Sequence, residues 1–331
     1  MLNYSFIIPV YNRPNEIREL LESFQKVEFD RDYEIVIIED GSSEKSDSVI
    51  EEFKDELNIS YFFKENSGPG DSRNYGMSRA RGNYFIVLDS DVILPPNYLI
   101  ETDKFLQENY VHAYGGPDDA HESFSDLQKA INFAMTSFLT TGGIRGGKKQ
   151  VGKFQPRSFN MGISKEAFEA TGGYGKIHPG EDPDLTFRIW EAGYETALIP
   201  NAKVFHKRRI SWSSFRMQVY KFGVVRPILS QWHKGTGKIT FWFPTIFSFY
   251  LLASTIVSPI CQLPILTVLI YLLLIFSSAL SQTKSVKIAG MSVLTSLIQF
   301  TSYGYGFLIS NFKLHVLKQE PKEAFPKFFF K

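Results

Sequence analysis

Two carboxylates, Asp89 and Asp91, are the residues whose spacing most directly suggests chemistry. They follow the short apolar run Tyr84–Leu88, which is typical of a buried strand. Residues two apart on a turning backbone can direct both carboxylates to one point beyond the strand end, where open α/β sheets bind ligands. Two hard oxygen ligands there suit Mg²⁺ or Mn²⁺, with substrate phosphates completing the shell. The alternative is structural, with Asp89 and Ser90 only shaping a turn.

Strand and helix patterns alternate along the first part of the chain, which predicts a mostly parallel α/β sheet with flanking helices. The second strand also leads into acids, Glu39 and Asp40, so we expect two acidic loops at one edge of the sheet. No G-x-G-x-x-G follows the first strand, which leaves a dinucleotide-binding fold unsupported. The predicted strands are Tyr4–Val10, Tyr33–Ile38, Ile59–Phe63 and Tyr84–Leu88, and the helices between them are 16–26, 47–57 and 71–80.

Charge and cysteine usage exclude several classes of protein. The formal net charge of the 331 residues is +1, so no basic excess favours a nucleic-acid partner. A single cysteine, Cys261, excludes an internal disulfide and a cysteine-built zinc site, and it fits a reducing compartment. The first ten residues lack a basic start and are interrupted at Pro9, so we do not expect a signal peptide.

The C-terminal part of the chain is far more apolar than the rest. No charged residue occurs from 239 to 283, and a second uncharged run extends from 288 to 312. Since about 20 apolar residues cross a bilayer, we predict an all-α transmembrane region with helices at about 241–257, 264–280 and 288–312. The alternative is a buried helical hairpin of a soluble protein. The predicted domains are 1–210, a juxtamembrane linker helix 211–238, the transmembrane region 239–312 and a basic, aromatic tail 313–331.

Lysines flank the first two predicted crossings and indicate their orientation. Lys234, Lys238, Lys284 and Lys287 would be cytoplasmic under the positive-inside rule, with the uncharged turn 258–264 outside. The predicted location is therefore the inner cell membrane, multi-pass, with domain 1–210 in the cytoplasm. A third crossing places the lysines of the tail outside, against the same rule. Either the tail leaves the cytoplasm, or 288–312 re-enters the membrane or lies along its surface, and three crossings are the favoured prediction.

The region between the sheet and the apolar helices carries further candidates. Pro183 is well placed as a first helical residue, which predicts Asp182 as the N-cap of its helix. A glycine-rich loop at 140–152 carries cations that could bind an acceptor or a lipid phosphate, although a solvated basic loop would look the same. These cations are Arg145, Lys148 and Lys149.

Seven short motifs in a fixed order resemble the inverting family 2 glycosyltransferases, which have the GT-A fold. Each motif is weakly specific by itself, and the resemblance covers about residues 5 to 206. The motifs are Pro9-Val10-Tyr11-Asn12, Glu39-Asp40-Gly41-Ser42, Arg73-Asn74, Asp89-Ser90-Asp91, Phe159-Asn160-Met161-Gly162, Gly172-Gly173-Tyr174 and Gly180-Glu181-Asp182-Pro183-Asp184-Leu185.

The resemblance implies a nucleotide-sugar donor and a divalent metal, Mg²⁺ or Mn²⁺. Asp40 would accept a hydrogen bond from the base, commonly uracil N3–H, beside Tyr11, while Arg73 would contact the diphosphate or the base. The metal would stabilise charge on the leaving nucleoside diphosphate. His206 would reach the metal or the diphosphate, the alternative being a plain surface histidine. The implied donor set is Pro9, Tyr11, Asn12, Glu39, Asp40, Arg73, Asp89 and Ser90, and the metal set is Asp89, Asp91 and His206.

In the acceptor half, the resemblance implies that Asp182 is the general base. It would take the proton of an acceptor hydroxyl as that oxygen attacks the anomeric carbon opposite the leaving group, which inverts the centre. A purely structural capping role is the alternative, and Glu181 is the less favoured base. The implied acceptor-side residues are Asn160, Met161, Gly180 and Glu181.

One departure from the family pattern bears on the product. Processive members carry a Gln/Arg-x-x-Arg-Trp motif, which the helix around 214–223 lacks. We therefore predict transfer of a single sugar, from a UDP-sugar, to a membrane-associated saccharide such as a polyprenyl-linked one, in cell-envelope or extracellular polysaccharide synthesis. Arg216, Lys221 and Arg226 could hold an acceptor phosphate or extend to the membrane surface.

Three other functions remain open at this point. A processive synthase would make a polymer, and a catalytically silent membrane protein would only bind the nucleotide sugar. A nucleotidyltransferase would need a glycine-rich phosphate loop with a basic residue near the N-terminus, and Pro9–Pro14 lacks one.

Overall fold

The structure is a computed structural model that describes residues 1–119, 124–142, 153–206 and 211–330. These residues form two compact units. The N-terminal unit contains residues 1–119, 153–206 and 327–330, and the helical unit contains residues 124–142 and 211–326. The predicted contiguous division at residue 210 therefore differs from the observed one in two segments. Residues 124–142 group with the C-terminal helices, and the last described residues group with the N-terminal unit.

The elements alternate up to β4 as the sequence predicts. In chain order they begin with β1 (Tyr4–Val10), α1 (Pro14–Phe24), β2 (Glu34–Asp40), α2 (Asp47–Phe53), β3 (Ile59–Lys64), α3 (Pro69–Arg79), β4 (Tyr84–Leu88), β5 (Val92–Ile93), α4 (Tyr98–Glu108), β6 (Ala113–Gly115) and β7 (Asp118–Asp119). They continue with α5 (Asp126–Thr136), α6 (Phe138–Thr141), β8 (Asn160–Ser164), α7 (Lys165–Thr171), α8 (Glu181–Glu191), β9 (Thr196–Leu198) and β10 (Val204–His206). The C-terminal helices are α9 (Trp212–Trp232), α10 (Phe243–Val257), α11 (Leu263–Thr283), α12 (Val286–Asn311) and α13 (Pro321–Ala324), with short turns at Ile239–Trp242, Phe312–Val316 and Pro326–Phe328.

A seven-stranded sheet in the order β3-β2-β1-β4-β8-β6-β9 forms the centre of the N-terminal unit. Strands β1 to β4 are parallel, and β8 runs antiparallel between β4 and β6. The predicted mostly parallel sheet with flanking helices is confirmed. The register pairs Leu88, the last residue of β4, with Asn160, the first residue of β8. A second sheet in the order β5-β10-β7 lies just beyond the end of β4 in the chain.

Both faces of the large sheet are covered, which explains the continuous apolar runs of its strands. Phe6 and Ile8 of β1 belong to one core, together with Ile17 of α1. Ile7 belongs to the core on the opposite face, together with Met77 of α3. This separation follows from the two-residue period of a strand, which sends successive side chains to opposite faces.

The sequence pattern predicts one helix from 124 to 139, but the structure has two. Ser125 caps α5 through a capping box with Gln128, and the helix ends at Thr136. Ser137 then takes an extended conformation, with ψ of 140°, before α6 begins. Apolar periodicity continues across this break, so it could not be detected from periodicity alone.

In the helical unit, α12 packs against α5, α9, α10 and α11. Its Thr295 hydroxyl donates to the carbonyl of Ala130 at 3.1 Å, and its Gln299 amide donates to the carbonyl of Thr140 at 3.3 Å. These bonds give buried polar side chains of α12 partners on α5 and α6. The predicted third crossing thus coincides with a helix that packs against four other helices of this unit.

Two helices in the described part of the chain are long and apolar enough to cross a membrane. They are Ile239–Val257, in which the turn and α10 are continuous, and Leu263–Thr283, which is α11. Large apolar side chains on both are exposed, among them Leu252, Ile256 and Leu273. These helices coincide with the first two predicted crossings.

Candidate active site

Asp89, Asp91 and His206 come together beyond the end of β4. Asp91 immediately precedes β5, and β5 pairs with β10 so that His206 lies opposite Val92. The imidazole Nε2 lies 3.2 Å from Asp91 Oδ1 and 4.0 Å from Asp89 Oδ2. One ligand atom from each of the three residues lies within 4.8 Å of the others. Two carboxylates and an imidazole in this arrangement fit a divalent cation such as Mn²⁺ or Mg²⁺.

Two arginines contact this cluster and balance its charge. Arg13 Nη1 lies 2.7 Å from Asp91 Oδ2, and Arg73 Nη2 lies 2.8 Å from Asp89 Oδ1. Burial raises the pKa of Asp91, but His206 and Arg13 lower it more, so the net pKa is well below that of a free carboxyl. Asp91 is therefore ionised, as a metal ligand must be.

Arg73 links the cluster to the start of α8. Its guanidinium is buried, with Nη1 3.2 Å from Glu181 Oε1 and its centre 5.1 Å from the ring centroid of Tyr174. Glu181 Oε1 also lies 2.8 Å from His178 Nδ1. Burial raises the pKa of Glu181, while His178 and Arg73 lower it to a net value of about 2. Four side chains, His178, Glu181, Arg73 and Asp89, thus form one continuous contact network.

Asp182 is not the N-cap of α8, and that prediction is wrong. The helix begins at Glu181 with Gly180 as its cap residue, at a φ of +122° that favours glycine. Pro183 is accordingly the third helical residue. It is tolerated there because the N–H groups of the first turn have no intrahelical partner.

The carboxylate of Asp182 is consequently not used for capping. Among the described residues its buried Oδ1 has no hydrogen-bond partner. Burial raises the pKa of Asp182 and the charge of Glu181 raises it further, whereas Arg73 and Arg157 only partly oppose this. A buried carboxylate with an unengaged oxygen and a raised pKa has the properties of a general base.

Asp40, the predicted partner of the base, already has both oxygens engaged. Oδ1 accepts from Lys64 Nζ at 2.6 Å and from the amide of Ser67 at 3.0 Å, and Oδ2 accepts from the amide of Gly68 at 3.0 Å. The carboxylate is therefore held rigidly against the turn before α3. Tyr11, by contrast, is 53% exposed.

The other predicted donor residues stabilise the loops at the sheet edge. Asn12, at a φ of +53°, accepts from the amides of Ser43 at 2.8 Å and Glu44 at 2.9 Å. Glu39 is fully buried and accepts from the amide of Ser46 at 2.8 Å. Pro9 is paired with Ile38 inside the sheet, and Ser90 is buried between the two aspartates.

Two of the predicted acceptor-side residues, Asn160 and Met161, are enclosed in the protein. The amide of Asn160 accepts from the Tyr98 hydroxyl at 2.6 Å and donates to the carbonyl of Ala202 at 2.7 Å. Met161 belongs to the core. Gly180 and Glu181 form the start of α8, as described above. The predicted loop cations Arg145, Lys148 and Lys149 lie outside the described residues.

The sequence pattern that defines glycosyl transferase family 2 matches residues 5–172, about half of the chain. The chain belongs to this family. The match begins in β1 and ends after α7, so it includes both aspartates of the cluster.

Curated family 2 relatives align with part of the sequence. An uncharacterized glycosyltransferase of Rickettsia bellii is 39% identical over 105 residues, 32% of this chain and 15% of the relative. The poly(ribitol-phosphate) β-N-acetylglucosaminyltransferase TarS of Staphylococcus aureus is 30% identical over 113 residues, 33% of this chain and 20% of the relative. A GalNAc(5)-diNAcBac-PP-undecaprenol β-1,3-glucosyltransferase of Campylobacter jejuni is 32% identical over 118 residues, 35% of this chain and 38% of the relative. The aligned region spans well under half of the length of each relative.

Solved structures resemble the chain over nearly its whole length. The mannosyltransferase PcManGT of Pyrobaculum calidifontis, in complex with GDP-Man and Mn²⁺, has a TM-score of 0.65 and 14% identity, covering 93% of this chain and 87% of that one. S. aureus TarS 1–349 in complex with UDP-GlcNAc has a TM-score of 0.52 and 14% identity, covering 96% and 93%. At 14% identity this likeness shows the fold alone. It confirms the predicted GT-A fold.

Sequence reasoning missed three contributors to this family 2 site. Arg13 contacts Asp91, His178 contacts Glu181, and the ring of Phe159 stacks on His206 at 4.8 Å. The signal for Arg13 was present, because the loop after β1 lies next to the end of β4 when these strands pair, and Arg13 is the basic residue of that loop. Nothing local indicates the other two contacts, which join different elements.

Proposed function

We propose that this chain is an inverting, metal-dependent glycosyltransferase. It transfers one sugar from a nucleotide sugar, a UDP-sugar in our proposal, to a membrane-associated saccharide. The observation that carries the proposal is the buried Arg73, which contacts Asp89 of the candidate metal cluster and Glu181, the neighbour of Asp182. A single cation thus ties the donor side of the site to the candidate base.

Asp89, Asp91 and His206 are the residues that would hold the metal. When bound, the metal supplies Lewis-acid stabilisation of the charge on the leaving diphosphate. Arg13 would orient Asp91 and Arg73 would orient Asp89 through the ion pairs described above. In this proposal Asp40, held by Ser67 and Gly68, would recognise the base, and the exposed ring of Tyr11 would stack on it.

In the transfer step, Asp182 removes the proton of an acceptor hydroxyl. The acceptor oxygen forms a bond to the anomeric carbon while the bond from that carbon to the diphosphate oxygen breaks, and the nucleoside diphosphate leaves with the electron pair. The proton ends on the Asp182 carboxylate. Its raised pKa favours this role, because a base accepts a proton more readily as its pKa approaches the working pH.

The acceptor class rests on the helical unit and on the relatives. The two long apolar helices would place the site at a bilayer, where lipid-linked saccharides are found. One relative is named for an undecaprenol-linked acceptor and another for poly(ribitol-phosphate). We therefore propose a polyprenyl-linked saccharide as the acceptor of this chain.

Within this proposal the chain crosses the membrane twice. Residues 327–330 belong to the N-terminal unit, so they must lie on the same side of the membrane as its sheet. This requires an even number of crossings between the two segments. The two apolar helices satisfy this requirement and α12 does not act as a third crossing, which also keeps the lysines of the tail on the cytoplasmic side.

The test is product identification with the full-length chain in detergent. UDP-sugars and GDP-mannose are incubated with Mn²⁺ and a polyprenyl-linked saccharide extract, and released nucleoside diphosphate and pyrophosphate are quantified. We expect nucleoside diphosphate release that requires both the metal and the acceptor. Pyrophosphate release would indicate a nucleotidyltransferase, and binding without release would indicate a silent binder. A ladder of products would indicate a processive synthase.

A further inference from the structure

The last described residues of the chain return to the N-terminal unit and pair with the loop before α8. We call Lys327–Phe330 the tail segment. The amide of His178 donates to the carbonyl of Phe328 at 2.8 Å, and the amide of Phe330 donates to the carbonyl of Lys176 at 3.0 Å. Ile177 and Phe329 form an antiparallel bridge between these bonds. The two hydrogen bonds therefore fix the backbone of Lys176 and of His178, on either side of Ile177.

The ring of Phe330 packs on a second part of the site, the turn before α3. A Cβ atom on Gly68 would lie 2.6 Å from three carbons of this ring, so the ring rests directly on the glycine. The centroid of the same ring lies 6.0 Å from that of the His178 imidazole. Phe330 therefore lies between the loop before α8 and the turn before α3.

Gly68 and His178, the two residues that Phe330 packs against, each contact a residue of the proposed site directly. The amide of Gly68 donates to Asp40 Oδ2 at 3.0 Å, on the side proposed to recognise the base. His178 Nδ1 lies 2.8 Å from Glu181, which holds Arg73. The tail segment thus restrains two groups that lead to the base-recognition acid and to the metal cluster.

The three phenylalanines of the tail segment are not equivalent. Phe328 is buried, at 7% exposure, and Ile177 beside it is buried as well. Phe330 is half-buried, and it packs on a glycine whose positive φ and lack of a side chain allow the close approach. Phe328 therefore anchors the segment, whereas Phe330 is the residue that bears on the site.

We propose that the tail segment is a positioning element of the donor site, with Phe330 as its principal residue. This inference rests on the proposed function. The segment follows all the helices of the helical unit in the chain, so the donor site is complete only when the tail segment is in place. Phe330 acts through Gly68 and His178, and it need not touch the donor. The opposite role, a plug that obstructs the donor, predicts the opposite sign in the test.

The test compares three substitutions of Phe330 in the full-length chain. Phe330→Leu keeps an apolar side chain, Phe330→Ala removes the ring, and Phe330→Pro also removes the amide that donates to Lys176. Affinity for UDP in the presence of Mn²⁺ is measured by calorimetry, beside the melting temperature of each protein. Phe138→Ala, which removes a 75% exposed phenylalanine on α6, is the matched control.

We expect a graded loss of UDP affinity, small for leucine, about tenfold for alanine and larger for proline, with the control unchanged. Phe330→Ala should raise the KM for the donor and leave kcat within about twofold. A purely structural role would lower the melting temperature and leave the affinity of the folded protein unchanged, which overturns the inference. Tighter binding in Phe330→Ala also overturns it, in favour of a plug.

Failure of this inference is separable from failure of the proposed function. If the wild-type chain binds neither UDP nor GDP with Mn²⁺, the proposed function fails and the inference fails with it. If the wild type binds UDP and the three variants bind it equally well, the tail inference alone is rejected.

Discussion

Arg73 and Glu181 are 108 residues apart in the sequence, yet Nη1 of the arginine lies 3.2 Å from Oε1 of the glutamate. Both side chains are buried, and the same guanidinium contacts Asp89. Buried charges of this kind are stable only as a set, because a remaining partner would be left in a poorly solvated site. Loss of either side chain is therefore expected to destabilise both α3, which carries Arg73, and the start of α8, which carries Glu181.

Replacing Arg73 by methionine should destabilise the protein strongly. The substitution leaves Glu181 and Asp89 without their shared buried cation, which typically costs about 3–5 kcal/mol. Thermal unfolding of the full-length chain in detergent measures the effect. Arg79→Met, in the exposed last turn of the same helix, is the control and should change stability little. Equal effects of the two substitutions would contradict the network.

Asp182→Asn should retain the fold and lose the transfer activity. Asparagine has nearly the same size but cannot accept the proton, so the rate should fall by roughly 10²- to 10⁴-fold while donor affinity is kept. Since Gly180 caps the helix, Asp182→Ala should also avoid the loss of about 1 kcal/mol that removal of a cap causes. Initial rates, donor affinity and melting temperature are measured for both variants. An active asparagine variant would exclude Asp182 as the base.

The difference in stability between Asp182→Asn and the wild type should depend on pH, and the raised pKa of Asp182 fixes the direction of this dependence. The folded protein holds the pKa of Asp182 above its unfolded value, so stability is lost as pH rises from the unfolded pKa through the folded pKa, and the loss is complete above the folded pKa. Asp182→Asn should therefore melt higher than the wild type at pH 7, and the difference should shrink as pH is lowered through the raised pKa. Melting curves across a pH series measure this difference.

Glu181→Gln is the control, because its melting temperature should differ from that of the wild type in the opposite direction. The pKa of Glu181 is lowered to about 2, so its charge contributes stability that is lost only as pH falls toward that value. Glu181→Gln should melt lower than the wild type at pH 7. The same sign for both variants would show that the two carboxyls do not have opposite environments.

Two substitutions at the metal cluster should change Mn²⁺ affinity in opposite directions. Asp91→Ala removes a ligand and should abolish the gain in UDP affinity that Mn²⁺ confers. Arg13→Ala removes the cation that contacts Asp91 and should strengthen binding of Mn²⁺ alone. Calorimetry with and without the nucleotide measures both effects, and Asp55→Ala is the exposed control for the charge change of Asp91→Ala. Metal-independent UDP binding in the wild type would remove the metal from the proposed function.

Membrane topology can be read from the single native cysteine. Cys261 is exposed in the connection between α10 and α11, so two crossings place it outside the cytoplasm. A membrane-impermeant maleimide should label it in intact cells, whereas Lys327→Cys in a Cys261→Ser background should react only after permeabilisation. External labelling at position 327 would favour the three-crossing alternative. Absence of labelling at Cys261 would reject the orientation of the hairpin.

Local sequence patterns were sufficient for the first strands of the sheet and for the two apolar helices. Strands β1 and β4 begin and end where their apolar runs do, because a strand covered on both faces needs apolar residues at every position. The two apolar helices are equally evident in the sequence, since a charge-free run of that length is typical of membrane-spanning helices. The aspartates after β4 and the order of the short motifs were enough to identify the family.

Tertiary structure decided which groups meet at the site. The pairing of β5 with β10 brings His206 to Asp91, and the buried side chain of Arg73 extends from α3 to Glu181 at the start of α8. Gly180, by adopting a positive φ, starts α8 two residues earlier than the proline signal suggests and so releases Asp182 from capping. The pairing of Phe328 and Phe330 with the loop before α8 joins the chain's last residues to its first unit. Such contacts depend on the three-dimensional path of the backbone between distant residues, whereas periodicity and spacing report only on neighbours along the chain.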